Sequence, residues 1–180
     1  MSKSRFFFLS MLVVGVCLGS WFRVVRVSSD SMLDTLHNKD LVMTDRSGWI
    51  LNRTGGYWMS PRRGQIVVFR WLDGSLMIKR VVAVQGDRIQ ILHGITFING
   101  VPTPEKYVRH VRTYVAANDW WPTDAKRGSE SIIVSVNHYF VMGDNRDVST
   151  DSRHFGAIPG NSIVGIARVV FPRCQQVDTR

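Results

Sequence analysis

From residue 23 onward, apolar and polar positions alternate in short runs and do not recur at the spacing of a helix face. Val24–Val27, Leu41–Thr44, Gln65–Trp71 and Leu76–Val84 are rich in Val and Ile and predict strands. Ile89–Leu92 and Ile95–Ile98 predict a hairpin, and Asn99-Gly100 predicts a tight turn into the next connection. Ile132–Val136, His138–Met142 and Ile163–Phe171 complete the set, with Gly- and Pro-containing pairs such as Gly86-Asp87 and Pro159-Gly160 between runs. No stretch beyond residue 22 holds a helical period for three turns, and no internal repeat is present. The pattern predicts a mainly β fold. Two segments, 47–63 and 102–130, interrupt it as loops. Trp49, Tyr57, Trp58 and Trp120-Trp121 in them would either fold onto the sheet or rest on a lipid interface.

The start of the chain follows another pattern. Residues 6–22, FFFLSMLVVGVCLGSWF, form a run of 17 without a charge. At ~1.5 Å per residue it spans about 25 Å, the short end for a transmembrane helix. Lys3 and Arg5 precede it, Arg23 and Arg26 follow, and aromatic residues stand at both ends. A retained anchor is favoured over a cleaved signal peptide, because no Ala-x-Ala-like site follows the run, and over a buried core segment. The chain thus divides into a tail at 1–5, an anchor at 6–22 and a domain at 23–180. Flanking charge favours, by a narrow margin, the N-terminus inside and the domain outside.

Composition narrows the classes. Gly and Pro together are 21 of 180 residues, well below the roughly 25–30% of low-complexity chains. Two cysteines, Cys17 and Cys174, exclude a disulfide scaffold and a four-cysteine zinc site. A net charge of +9 favours an anionic partner, and beside an apolar anchor that partner is the acidic face of a bilayer, not nucleic acid.

Three segments carry candidate chemistry. Ser28-Ser29-Asp30-Ser31-Met32 follows a strand just beyond the anchor; such serines form turns unless a base stands near. The five histidines show no triad or metal-ligand spacing. Lys79 is unusual, a cation inside the apolar strand Leu76-Met77-Ile78-Lys79-Arg80-Val81-Val82. Alternation puts it on the face of Met77 and Val81, with Arg80 opposite and solvated. It is either an edge-strand charge or a buried amine; burial would lower its pKa and let it take a proton from serine. Gly143-Asp144-Asn145-Arg146-Asp147-Val148-Ser149-Thr150-Asp151-Ser152-Arg153 lacks the Gly and Glu of a calcium loop and fits a network of Asp–Arg pairs and hydroxyls.

Together the segments resemble the boxes of bacterial type I signal peptidases, membrane-bound Ser-Lys leader peptidases. Ser29-Asp30-Ser31-Met32 with Thr35-Leu36 resembles the nucleophile box, and Ile78-Lys79-Arg80-Val81-Val82 with Gly86-Asp87 the lysine box. Gly143-Asp144-Asn145-Arg146-Asp147, Ser149 and Asp151-Ser152-Arg153 with Gly156 resemble the third. No single box is specific; three in order after an apolar segment are. Asp34 and Ser28 depart from the pattern, standing where Pro is usual.

The resemblance implies a β-sheet or barrel catalytic domain on the extracytoplasmic side of the bacterial inner membrane, held by one N-terminal helix. It implies Ser31 as nucleophile and Lys79 as general base. Ser149 would orient the lysine amine, and the Ser31 N–H and Ser29 hydroxyl would line an oxyanion hole. Asp144, Arg146, Asp151 and Arg153 would brace the site. It implies exported preproteins cut at Ala-x-Ala-like sites as substrates, the phospholipid membrane as partner, and no metal or organic cofactor. The alternatives are a specialised peptidase of a conjugation or secretion system, a soluble self-cleaving Ser-Lys protease, which the anchor opposes, and a non-catalytic membrane-anchored binding module.

Overall fold

The computed structural model describes residues 21–47, 60–92, 94–108 and 131–171. Eleven strands, one short α-helix and a 3-10 turn at Gly160–Ser162 lie within them. The strands are β1 (Phe22–Arg26), β2 (Leu41–Asp45), β3 (Ile66–Arg70), β4 (Leu76–Val84), β5 (Arg88–Leu92), β6 (Ile95–Ile98), β7 (Val101–Pro102), β8 (Ile132–Ile133), β9 (His138–Met142), β10 (Ile158–Pro159) and β11 (Ile163–Phe171). Helix α1 is Ser152–Phe155. Seven strands form one sheet in the order β1-β2-β11-β3-β4-β9-β10, and four form a second in the order β7-β6-β5-β8. Every pairing is antiparallel. Register shifts at Ala167/Val169, Ile163/Gly165 and Val81/Ala83 bend the large sheet, which curls into a half barrel.

Alternation along β3, β4 and β9 sends apolar side chains to both faces, so these central strands are covered on both. On one face Val67, Phe69, Val81, Tyr139 and Val141 pack with Ile158, Ile163 and Ile166. On the other, Val68 and Ile78 pack with Val27, Met32, Leu36 and Val42. A third cluster joins the sheets: Val82, Ala83, Phe140 and Met142 against Ile89, Ile98 and Val134. The mainly β expectation therefore holds, with differences at the ends of elements. Asn99 and Gly100 both have positive φ, 53° and 81°, and make the predicted tight turn, but the strand beyond it, β7, is only two residues long. The strand expected at Ile132–Val136 stops at Ile133. Beyond it Val134 still exchanges backbone bonds with Asp87 O and Gly86 N–H, both at 2.9 Å, but Val136 is exposed and Asn137 turns with φ 56°, which ends the pairing.

The expected anchor lies almost wholly outside the described residues. Its last residue, Phe22, belongs to β1 instead, because its backbone pairs with Asp45. Among the described residues, no helix is long and apolar enough to cross a membrane. The aromatic residues of segments 48–59 and 109–130, and both cysteines, also lie outside them.

Candidate active site

Ser31 sits in the loop between β1 and β2. The neck of the loop is closed by backbone bonds from Val27 N–H to Asp40 O, 2.9 Å, and from Lys39 N–H to Val27 O, 2.8 Å. Within it, Leu36 N–H donates to Met32 O at 2.8 Å, a single helical turn that stacks Met32 and Leu36. Both side chains are fully buried in the core, which pins the serine between them and the solvent. Ser29, exposed, places its Oγ 3.1 Å from Ser31 Oγ.

Lys79 lies on β4, which is bordered by β3 and β9 and is not an edge strand. Its Nζ is 2.5 Å from Ser31 Oγ, and the residue is 4% exposed. Burial pushes the amine pKa down to about 8, and Arg153 adds to the shift, while the Asp151 and Asp144 charges oppose it. A lysine in water near pH 7 is almost wholly protonated; this one has an appreciable neutral fraction.

The third segment wraps this pair from behind. Gly143 is packed so tightly that an added Cβ would stand 2.4 Å from Ser31 O and 2.2 Å from Ser149 Oγ. The first is backbone and cannot move aside without moving Ser31. Asn145 N–H donates to Ser31 O at 3.1 Å, and the Asn145 amide donates to Asp30 O at 3.1 Å. Asp151 caps α1, accepts from Gly143 N–H at 2.9 Å and pairs with Arg153 at 2.9 Å. Burial raises its pKa, but the Arg153 hydrogen bonds and charge, Gly143 N–H and Ser149 outweigh it, and the carboxyl stays below the usual range. Arg153 also donates to Arg146 O at 2.8 Å and Ser149 O at 3.3 Å, fastening the segment to itself.

All eight residues singled out in the sequence thus gather around the Ser31–Lys79 contact or the segment behind it. Two expectations differ in detail. Ser149 Oγ is buried beside Gly143 and toward Asp151, whose pKa it lowers, while the lysine amine donates to Ser31. Arg80 was expected in solvent, yet its side chain is 11% exposed and forms a two-pronged pair with Asp144, at 2.9 and 2.5 Å. The buried Asp144 carboxylate explains this: it needs a cation, and Arg80 on the opposite face from Lys79 is the one within reach. Thr35 completes the node by donating to Asp144 at 2.6 Å.

Other residues went unmarked by sequence patterns. Glu105 forms a two-pronged buried pair with Arg146, at 2.8 and 2.6 Å, and Tyr107 donates to Glu105 at 2.8 Å. Burial raises the Glu105 pKa, but Arg146, Thr96 and Tyr107 bring it below the ordinary value. Burial and the Glu105 charge push the Tyr107 phenol up. A Glu-x-Tyr spacing in a loop was the only signal available, since Arg146 lies 41 residues away. Asp87, which the sequence did mark together with Gly86, ties β4 to β5 by accepting from Arg63, Val84 N–H and Asn99.

A serine hydroxyl against a buried, partly neutral lysine on an antiparallel sheet has the features of a hydrolase that uses lysine as its base. A family model described as signal peptidase, peptidase S26, matches residues 2–172, and the chain belongs to that family. It is 31% identical over 154 residues to a signal peptidase I of Leptolyngbya laminosa, covering 81% of this chain and 66% of that protein. With signal peptidase I V of Bacillus subtilis it shares 30% over 171 residues, 91% of this chain and 96% of the other. A crystal structure of a signal peptidase I from Enterococcus faecalis superposes with a TM-score of 0.47 at 27% identity, over 60% of this chain and 97% of that one.

Proposed function

We propose that the chain is a membrane-bound serine endopeptidase that removes signal peptides from exported preproteins at Ala-x-Ala-like sites, with Ser31 as nucleophile and Lys79 as general base. The observation that carries this reading is the 2.5 Å contact between Ser31 Oγ and an amine whose burial lowers its pKa to about 8. Neutral Lys79 Nζ takes the proton from Ser31 Oγ as that oxygen attacks the scissile carbonyl carbon. The negative charge on the carbonyl oxygen then falls to the Ser31 N–H and the Ser29 hydroxyl, which lies on the exposed side of the nucleophile. The Lys79 ammonium passes its proton to the departing amine, leaving the signal peptide as an ester on Ser31. Lys79 next takes a proton from water, which attacks the ester, and returns it to Ser31 Oγ. Ser149 Oγ, buried beside Gly143 on the inner side of the site, accepts from the ammonium while the proton is away from serine.

Residues 1–5 form a tail and 6–22 a single anchor in the bacterial inner membrane, its last residue Phe22 already entering β1, and 23–180 form a domain on the extracytoplasmic face. The test is cleavage of a preprotein panel by full-length protein in detergent, with new N-termini mapped by mass spectrometry. Wild type cuts after Ala-x-Ala-like sequences, while Ser31→Ala and Lys79→Arg, whose guanidinium stays charged, are folded and inactive. Substantial cleavage by Lys79→Arg would remove Lys79 as the base, and equal activity of Ser31→Ala would remove the mechanism.

A further inference from the structure

Behind the catalytic pair, the peptide Gly143-Asp144 is gripped from two directions. Arg146 Nε donates to Gly143 O at 2.9 Å, and Arg80 holds the Asp144 carboxylate. These two arginines come from different parts of the chain, and what joins them is a strap that follows β7. After Pro102, Thr103 N–H donates to Thr96 O at 2.8 Å and directs the chain back across the small sheet. Glu105 then takes Arg146 on both carboxylate oxygens and also accepts from Thr96 Oγ1 at 2.8 Å. Tyr107 donates its hydroxyl to Glu105 and lays its ring 4.0 Å from the Arg80 guanidinium carbon. The circuit is closed: Gly143, Arg146, Glu105, Tyr107, Arg80, Asp144 and back along one peptide bond to Gly143.

We infer that Glu105 and Tyr107 are positioning residues for catalysis: the strap holds Arg146 and Arg80 in register, and through them fixes the Gly143-Asp144 peptide against which Ser31 is set. This rests on the assignment of Ser31 and Lys79 given above. Neither strap residue bonds to Ser31 or Lys79. Their effect runs through Gly143, which has no slack toward Ser31 O, and through Asn145 N–H, two residues on, which donates to the same oxygen. The Arg146–Glu105 pair is buried and the Arg80–Asp144 pair largely so, and each geometry is defined by two-pronged bonds that little water reaches. A shift of Gly143 is therefore transmitted to the nucleophile. A misplacement of about 1 Å in a reacting group lowers the rate by roughly 100-fold.

The experiment compares full-length wild type, Tyr107→Phe, Tyr107→Leu, Glu105→Gln and the double replacement Glu105→Leu/Arg146→Met on a peptide with Ala at −1 and −3, with melting temperature measured on every sample. Tyr107→Phe keeps the ring on Arg80 and loses only the bond to Glu105, so its kcat falls less than that of Tyr107→Leu. Tyr107→Leu and Glu105→Gln lower kcat about 10-fold or more while KM stays within about 2-fold, because position is lost and substrate contacts are not. The double replacement removes the buried charge pair as a unit, which restores stability toward wild type. Its kcat stays low, since Gly143 O has lost its donor. If kcat recovers together with melting temperature in the double replacement, or if Tyr107→Leu retains wild-type kcat, the strap is only structural and the inference is overturned. Ser31→Ala in the same assay separates the two levels: residual cleavage there would strike the catalytic assignment itself.

Discussion

The burial that suits Lys79 to its proposed role as base comes at the expense of stability. Its amine has a folded-state pKa of about 8, below the ordinary 10.5, because burial disfavours the charge. Between those two values the unfolded chain holds a proton that the folded chain has released, so stability rises with pH across that window. Below about 8 the folded protein carries a buried ammonium. Lys79→Met, which keeps the length of the side chain without the charge, is therefore expected to melt above wild type at pH 7, with the difference shrinking as pH rises toward 10.5. Cleavage by wild type has the matching profile: activity climbs with pH through about 8 as the amine becomes able to accept the serine proton. Melting curves at pH 7 and pH 10, beside a pH–rate profile, check both. Equal melting of the two proteins at pH 7 would mean that the amine is not desolvated. The strand pattern already marked Lys79, since a cation among Met77, Ile78, Val81 and Val82 breaks an apolar run. The 2.5 Å approach to Ser31, 48 residues earlier, is a tertiary fact that spacing along the chain does not contain.

Between elements, the Asp144 carboxylate is where the nucleophile loop, β4 and the third segment meet, through Thr35 Oγ1 and the two-pronged Arg80 pair. Removing its charge leaves a guanidinium buried without a carboxylate. Breaking a buried pair in this way costs about 3–5 kcal/mol, whereas loss of one neutral donor costs about 0.5–1.5 kcal/mol. Asp144→Asn is expected to lose stability by the larger amount and Thr35→Val by the smaller, as measured by urea denaturation of each in detergent. If Asp144→Asn matches wild type, Arg80 has another anion to pair with and the node does not join the three elements. This scale also shows where sequence reasoning stops. Strands with long Val- and Ile-rich runs, β4 and β11, were found with their full extent. β7 and β10 were not, because two-residue pairings carry no periodicity and exist only through their partners β6 and β9. Arg80 was misplaced for a related reason. Alternation assigned its face correctly, but the face is covered by Asp144, 64 residues later, and by Tyr107. Glu105 was invisible because a single acid in a loop acquires its role only from Arg146 opposite.

Over the whole molecule, burial is incomplete at one end of the large sheet. Trp21, Phe22 and Val24 on or before β1, Leu41 on β2, and Val169 and Phe171 on β11 are all exposed. The register makes them neighbours: Leu41 pairs with Arg26 on one side and with Phe171 on the other. A soluble domain with no neighbour would cover such a strip, and a contiguous exposed apolar patch marks an interaction surface. Here it begins where the proposed anchor ends, and Arg23 and Arg26 are interleaved with the apolar positions of β1. Apolar side chains flanked by arginines suit the boundary between acyl chains and anionic headgroups, which predicts that this sheet end rests on a bilayer surface. A chain beginning at Trp21 is accordingly expected to bind vesicles containing anionic lipid without its anchor. Salt weakens only part of this binding, because screening acts on the arginines and not on the apolar strip. Val24→Asp/Phe171→Asp, both at exposed positions, should reduce binding at all salt concentrations with little change in melting temperature. Flotation of the truncated chain with neutral and anionic vesicles, at low and high salt, decides the matter. If it stays with the soluble fraction on anionic vesicles at low salt, the strip does not face lipid and the anchor alone sets the distance of Ser31 from the membrane.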